Sequence, residues 1–372
     1  MPEGKRADRG RTGQVRSILL SIIHNLGDAV MATAALDLLR IHFPQARIDL
    51  LAKKGVADIY PGLASVDNVY DYNAAENNKL SFFLSLMRTN KYDVFISFDR
   101  KSKPAIAARL SGIKWRIAPS HCLGHVKPKQ RANFWYNQII DLSADESYLA
   151  HETFQTVVRR AFGFAGQGRI SLPPFSESQL KKAGALIPPD RHPVIGLSVK
   201  AERDLKNWAP ERFAELLGRL AKTFASSFIY VTGTPGDRAY VDELLALTLP
   251  AKALNLAGET DLMTMAALAG RSDLFITLDT GAVHLAANSG LKRIIGLFCG
   301  TSPRIIKGAI DPVSIIWSGY DERSADPVEA AAAAQAKDRI SVDVVFDEAL
   351  RLLNSNDPQP NLINCRSDER LI

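Results

Sequence analysis

The sequence has few cysteines and no long apolar run, and each shortage excludes a class of protein. It holds only Cys122, Cys299 and Cys365 in 372 residues, too few and too far apart for a disulfide framework, and no Cys-x-x-Cys pair offers zinc-ligand spacing. The apolar segment 18–23 is far shorter than the ~20 residues that span a bilayer. It also lacks the cleavage pattern of a signal peptide. These absences predict a protein of the reducing cytosol.

The charge of the chain is only mildly unbalanced. Lys and Arg number 46 against 40 Asp and Glu, which gives a net charge of +6, and part of the excess lies in residues 1–16. Such a basic tail is either a solvated, mobile segment or one attracted to an anionic membrane surface or polyanion. No aromatic RNA-binding motif or zinc finger is present, so nucleic acid is not expected as a partner.

Short β-rich runs alternate with longer amphipathic segments, and this pattern occurs twice along the chain. The alternation predicts βαβ units and parallel sheets, an α/β fold with two halves of similar size. In the first half, the predicted strands are 15–23, 48–52 and 92–98, with helices at 28–42 and 80–88. The pattern restarts after Pro188 and Pro189, with predicted strands 193–198, 227–232, 273–278 and 293–298 and helices 210–224, 237–247, 261–269 and 283–289.

These boundaries predict five parts of the chain. They are a flexible basic tail at 1–14, an N-terminal domain at 15–185, a C-terminal domain at 190–325, C-terminal helices at 326–354 and a fraying tail at 355–372.

The turn after the first strand ends in Gly27 and Asp28, which come directly before or within the start of a helix. Glycine permits close approach of a ligand. Asp28 has two interpretations that position alone does not separate: a local helix cap, or a carboxylate at the mouth of a cleft that takes a proton from a hydroxyl. No Gly-x-Gly-x-x-Gly follows the strand, which argues against a nicotinamide dehydrogenase.

Further polar turns follow other predicted strands. Asp279-Thr280-Gly281-Ala282 leads a buried strand into a helix that carries His284, and amides at such a point bind phosphate. His284 is either a ligand contact or a packing residue. Lys206, ahead of the helix 210–224, either neutralises a phosphate or is a solvated loop lysine. The basic run 100–103 and the turn 298–303 likewise have ordinary solvated or structural interpretations.

Several segments resemble glycosyltransferase family 9, the ADP-heptose:lipopolysaccharide heptosyltransferases, in the family's order along residues 15–310. Gly27-Asp28 resembles the family's N-terminal Gly-Asp motif, and Lys206-Asn207-Trp208-Ala209-Pro210 resembles its Lys-x-Trp-Pro segment. The strongest signature is 279–287 followed by 297–303, and 256–262 resembles the Gly-x-Thr-x-Leu segment. The chain departs from the family at His24-Asn25, at Cys299 and at Ser302.

The resemblance implies a GT-B fold, in which two Rossmann-like domains face a cleft and the C-terminal helix crosses back to the N-terminal domain. It implies an inverting, metal-independent transferase without a cofactor, whose substrates are a nucleotide-sugar, ADP-heptose, and an anionic glycolipid or glycan of the lipopolysaccharide core. Asp28 is the implied general base. The residues implied to bind the donor diphosphate are Lys206, Asp279, Thr280, Gly281, Ala282 and His284. Those implied to bind the nucleoside are Thr232, Gly233, Asp237, Thr260 and Leu262. Those implied to bind the acceptor are Asn25, Gly27, Arg100, Lys101 and Lys103.

Other interpretations remain beside this one. The enzyme transfers another nucleotide-sugar or uses another acceptor, the chain is a sugar-nucleotide epimerase, or it is a non-catalytic nucleotide-sugar-binding scaffold at the membrane. A monomer is expected, in the cytoplasm, with possible contact at the cytoplasmic face of the inner membrane.

Overall fold

The computed structural model describes residues 15–120, 133–143, 150–248, 253–306, 308–324 and 326–365. The basic tail at 1–14, Cys122 and the last seven residues lie outside these ranges. The chain divides into two compact units between Pro174 and Phe175. The division comes earlier than the predicted boundary at 185, so residues 175–185 belong to the second unit.

Unit 1 is a three-layer α/β structure around a six-stranded sheet. Its elements are β1 Ser17–Ile22, α1 Leu26–His42, β2 Arg47–Ala52, β3 Asn68–Asp71, α2 Lys79–Asn90, β4 Val94–Ser97, α3 Ser102–Leu110, β5 Trp115–Pro119, β6 Gln138–Ile140 and α4 Ala150–Phe162. The strands are parallel in the order β3-β2-β1-β4-β5-β6. Every predicted strand and helix of this half is present, whereas β3, α3, β5, β6 and α4 were not predicted.

Apolar helix faces cover both sides of this sheet. Phe83 and Met87 of α2 pack with Phe95 of β4 and with small residues of α3 in one buried cluster. Strand residues alternate between faces, and on the other side α1 packs against α4. There Phe98 meets the ring of Phe154 edge to face at 4.8 Å.

Unit 2 repeats the same architecture with seven strands. Its elements are α5 Glu177–Ala185, β7 Val194–Ser198, α6 Pro210–Thr223, β8 Phe228–Thr232, α7 Arg238–Ala246, β9 Ala253–Asn255, α8 Leu262–Gly270, β10 Leu274–Leu278, α9 Gly281–Ala287, β11 Ile294–Phe298, β12 Val313–Trp317, α10 Pro327–Ala333, α11 Val342–Asn354 and β13 Leu362–Asn364. All the strands are parallel, in the order β13-β12-β11-β10-β7-β8-β9.

The C-terminal helix α11 packs within unit 2. Its residues Val345, Ala349 and Leu352 lie in the buried core of this unit, and α11 contacts α6. The indole N–H of Trp208 donates to the carbonyl oxygen of Ile340 at 2.9 Å, which fixes the start of α11. These contacts describe α11 within unit 2 only, and its crossing to the N-terminal domain stays a prediction.

The segment after α11 also differs from its prediction. Residues 362–364 form the edge strand β13, parallel to β12, instead of fraying. The amide of Asn361 donates to the Ser314 hydroxyl at 3.1 Å, and the Cys365 amide donates to the Trp317 carbonyl at 2.8 Å. The edge of β12 thus supplies hydrogen-bond partners for this segment, which the composition of the segment does not indicate.

Both sheets reverse their strand order at one point. In unit 1 the reversal lies between β1 and β4, and in unit 2 it lies between β7 and β10. In open parallel sheets, ligands bind outside the carboxyl ends of the strands at such a switch point. The residues that follow β1, β4, β7 and β10 are therefore the first candidates for function.

Candidate active site

The loop after β1 places Asp28 in the first turn of α1. Helix α1 begins at Leu26, with Asn25 at the N-cap position, where its side chain makes no capping hydrogen bond. Asp28 is therefore not the cap, and the capping interpretation is corrected. Its side chain keeps 31% of its surface exposed. Asn25 is exposed and Gly27 half-buried beside it, so the carboxylate is open to a substrate.

Two side chains flank Asp28 within unit 1. The His24 ring nitrogen Nδ1 lies 3.9 Å from Oδ2 of Asp28, and the ring packs edge-on against Phe154. Tyr60 is fully buried and donates to the carbonyl of Ala29 at 3.2 Å. Burial, followed by the charge of Asp28, raises the pKa of Tyr60 well above its usual range, so this hydroxyl stays neutral.

The basic run after β4 separates into a buried part and an exposed part. Arg100 is only 2% exposed, and its Nη1 donates to the carbonyl of Ser120 at 2.8 Å. Its main chain has φ = +54°, an uncommon conformation for a residue with a side chain. The guanidinium thus bonds the end of β5, and the acceptor role of Arg100 stays a prediction. Lys101 and Lys103 are exposed at the start of α3, as an acceptor contact requires.

In unit 2, three side chains meet at the carboxyl ends of β7, β10 and β11. Nζ of Lys206 donates to Oδ2 of Asp279 at 2.6 Å and to the Asp279 carbonyl at 3.1 Å. The hydroxyl of Thr301 donates to the same Oδ2 at 2.6 Å. Lys206 and Asp279 were predicted site residues, whereas Thr301 was only part of a polar turn in the sequence. The one signal for Thr301 in the sequence was its place in a Gly-Thr-Ser-Pro turn directly after a predicted strand.

The partners of Asp279 keep it ionised. Burial acts to raise its pKa, but the Lys206 ammonium, the hydrogen bonds from Lys206 and Thr301, and His284 together hold that pKa below its usual range. Burial, with a further contribution from the charge of Asp279, raises the pKa of the Cys299 thiol to about 12, so Cys299 remains a neutral packing group. The ionised Asp279 carboxylate thus holds the Lys206 ammonium in place.

Gly300 lets the loop that carries Lys206 approach the end of β11. A Cβ on Gly300 would lie 2.6 Å from the Leu205 side chain and 3.0 Å from the Leu205 carbonyl. The same loop is tied by an ion pair between Arg203 and Glu322. These contacts hold Lys206 at the switch point.

The helix start after β10 is less free for a ligand than the sequence predicts. The Thr280 amide donates to the Leu278 carbonyl at 2.7 Å, and the Ala282 amide donates to the Thr280 hydroxyl, the N-cap of α9, at 3.3 Å. The Thr280 and Ala282 amides and the Thr280 hydroxyl thus have partners within the chain, and diphosphate binding by Thr280, Gly281 and Ala282 stays a prediction. His284 is buried, with 3% exposure.

The residues predicted for the nucleoside lie at the ends of β8 and β9 on the same edge of the sheet. Thr232 is buried there, Gly233 accepts from the Gly258 amide at 3.0 Å, and Thr260 and Leu262 are half-buried at the start of α8. Asp237 accepts from the Thr234 amide and hydroxyl at 2.8 and 2.7 Å. This local role explains Asp237 without a ligand, and its ribose contact stays a prediction.

Comparison with known proteins settles the family. The sequence model of glycosyltransferase family 9 (heptosyltransferase) matches residues 82–334, more than half of the chain. The chain belongs to glycosyltransferase family 9. It is therefore a glycosyltransferase.

Relatives of this family 9 chain are distant in sequence. It is 23% identical over 303 residues to lipopolysaccharide heptosyltransferase 3 of Escherichia coli strain K12, which covers 79% of this chain and 85% of the relative. The structure of E. coli ADP-heptose lps heptosyltransferase II matches with a TM-score of 0.71 at 20% identity, over 91% of this chain and 98% of that one. A family 9 glycosyltransferase from Veillonella parvula matches with a TM-score of 0.73 at 17% identity, over 91% and 97%. These structures share the fold, and the predicted GT-B class is confirmed.

Clustered metal ligands are absent from the part of this family 9 chain that the structure describes. Within the described ranges, no three or more His, Cys, Asp and Glu side chains gather as metal ligands would. His121 and His125, with Cys122 between them, have a His-x-x-x-His spacing but lie outside those ranges. Metal independence thus stays a prediction. No helix in the described part of the chain is both long and apolar enough to cross a membrane.

Proposed function

We propose that this family 9 enzyme transfers a heptose from ADP-heptose to a hydroxyl of a lipopolysaccharide-core acceptor, with inversion at the anomeric carbon and without a metal ion. The observation that carries the proposal is the Lys206 ammonium, fixed on Asp279 at the switch point of unit 2. The named activities of the relatives supply the heptose, the ADP and the lipopolysaccharide acceptor.

The proposed donor chemistry follows from charge. When the bond between C1 of the sugar and the diphosphate breaks, negative charge develops on the leaving ADP. An ammonium has three N–H donors, and Asp279 takes two of those of Lys206. The third N–H is proposed to donate to a phosphate oxygen. Because Asp279 already fixes this ammonium, it needs little reorganisation as negative charge develops on the leaving ADP.

The proposed acceptor chemistry places Asp28 as general base. The attacking hydroxyl loses its proton to the Asp28 carboxylate as its oxygen bonds to C1, while the C1–O bond to ADP breaks on the opposite side. General bases contribute roughly 10²–10⁴-fold to rate. The partial exposure of Asp28 in the first turn of α1 supports this role.

The remaining acceptor contacts are proposed for Asn25, Gly27, Lys101 and Lys103. Exposed lysines at the start of α3 suit a phosphorylated or acidic glycan. A lipid-linked acceptor would bring a cytoplasmic enzyme to the inner membrane face, and we propose that it acts there as a monomer.

A donor panel tests the proposal. The purified protein is mixed with ADP-heptose, ADP-glucose, GDP-mannose and UDP-glucose, each with and without EDTA, and thermal shift and nucleoside diphosphate release are followed. A selective shift and release with ADP-heptose, unchanged by EDTA, is expected. Selectivity for another nucleotide contradicts the heptose assignment, and loss of turnover with EDTA contradicts metal independence. A thermal shift without release supports the scaffold interpretation, and no response to any donor contradicts the proposed donor site.

A further inference from the structure

Two carboxylates, the half-buried Asp93 and the buried Asp99, join β1 to β4, one at each end of the strand pair. At the amino end, Asp93 accepts at Oδ2 from the amides of Arg16 and Ser17, at 2.9 and 3.0 Å, and from the Ser17 hydroxyl at 3.1 Å. This clamp lies away from the edge where Asp28 sits.

At the carboxyl end, Asp99 forms the corresponding clamp. Its Oδ2 accepts from the Ser21 hydroxyl at 2.8 Å and the Ile23 amide at 3.1 Å. Its Oδ1 accepts from the Lys101 amide at 2.9 Å and the Ser97 hydroxyl at 3.3 Å. Asp99 is 6% exposed, and its bonds join the end of β1, the end of β4 and the start of α3.

The Asp99 clamp reaches the loop that carries Asp28. Ile23 is the last residue before the segment His24–Asp28, so the bond to the Ile23 amide fixes where that segment leaves the sheet. Arg100 extends the clamp by bonding the end of β5 through the Ser120 carbonyl. No described contact of Asp93 reaches this loop.

We propose that Asp99 is a positioning residue of the transferase: it holds the β1–α1 loop, and with it the Asp28 carboxylate, against the end of β4. This inference rests on the proposed role of Asp28 as general base. A misplacement of about 1 Å at a reacting group costs about 10²-fold in rate. The clamp at Asp93 serves folding alone.

The test compares matched variants at the two ends of the same strands. Asp99→Asn and Asp93→Asn each replace a carboxylate with an amide whose NH₂ cannot accept, so both lose thermal stability. Asp99→Asn is expected to lower kcat about 10- to 100-fold with the donor KM changed less than 3-fold, whereas Asp93→Asn keeps kcat. In an Asp28→Asn background, Asp99→Asn is expected to add no further loss of kcat.

A pair of milder substitutions tests the same proposal if Asp99→Asn fails to fold. Ser21→Ala removes one hydrogen bond to Asp99. Ser17→Ala removes the matching contact with Asp93, together with the Ser17 contacts to the Lys91 carbonyl and the Asp93 amide. Hydrogen exchange of the peptide covering residues 23–30 supplies a readout independent of any substrate. Faster exchange there is expected in Ser21→Ala and Asp99→Asn but not in Ser17→Ala or Asp93→Asn.

The outcomes separate this inference from the proposed function. Equal kcat and equal loop exchange in the two members of each pair would overturn the positioning role, whatever Asp28 does. Full turnover in Asp28→Asn would overturn the proposed base, and loop exchange would then decide alone whether Asp99 orders the segment.

Discussion

The ammonium of Lys206 lies 2.6 Å from Oδ2 of Asp279, across the point where the strand order of unit 2 reverses. The two residues are 73 positions apart in the chain, and each follows one of the two strands that flank the reversal. This ion pair places a positive charge where open α/β sheets bind their ligands. The proposed binding of the donor diphosphate depends on this charge.

Removing the Lys206 charge tests whether this residue binds the donor. Lys206→Met is expected to weaken ADP-heptose binding about 10- to 100-fold, because a hydrogen bond to a charged group contributes about 1.5–3 kcal/mol. Lys222→Met, an exposed lysine in the last turn of α6, serves as the control and is expected to bind donor as the wild type does. Calorimetric titration of both variants measures the effect, and equal affinities would contradict a donor role for Lys206.

Thr301 is expected to act through Asp279. Thr301→Val keeps the shape of the side chain but removes the 2.6 Å hydrogen bond to the buried carboxylate, so it is expected to cost about 1–3 kcal/mol of unfolding free energy and to weaken donor binding. Thr301→Ser retains the hydroxyl and is expected to restore both. Denaturant unfolding and donor titration check this, and a serine variant as defective as valine would show that the methyl group matters instead.

The pH dependence of stability follows from the lowered pKa of Asp279. A carboxyl whose pKa is lower in the folded than in the unfolded state stabilises the fold fully above its unfolded pKa. That contribution is lost as pH falls through the folded pKa. The difference in unfolding free energy between wild type and Asp279→Asn is therefore expected to be largest above about pH 4 and to shrink in more acid solution. If this difference in unfolding free energy instead grew towards acid pH, the pKa of Asp279 would not be lowered in the folded state.

The sequence predicted the fold class and the elements that carry the two switch points. The runs at 15–23, 193–198 and 273–278 became β1, β7 and β10, because buried parallel strands are continuously apolar and easily recognised. The strands β12 and β13 were missed, since short segments such as Val313–Trp317 and Leu362–Asn364 are fixed by pairing at a sheet edge and not by local pattern.

The sequence predicted which residues are polar at the site but not how they pair. Lys206 and Asp279 were both predicted, yet their ion pair and the Thr301 hydrogen bond join segments far apart in the chain. Arg100 was predicted as an acceptor contact with Lys101 and Lys103, but its burial and its hydrogen bond to the Ser120 carbonyl were not predicted. The contacts of Asp99 could not be predicted from the sequence, because a single carboxylate after a strand shows its role only through its hydrogen-bond partners.

The proposed mechanism requires Asp28 to remove the acceptor proton, and the isosteric Asp28→Asn variant tests this role. Asp28→Asn removes the base while keeping the side-chain shape. The transfer rate at saturating ADP-heptose and lipopolysaccharide-core acceptor is compared with the wild type, and donor affinity is measured on the same preparation. A loss of about 10²–10⁴-fold in kcat, with donor affinity within 3-fold, is the predicted result. Transfer at the wild-type rate by Asp28→Asn would show that Asp28 is not the general base.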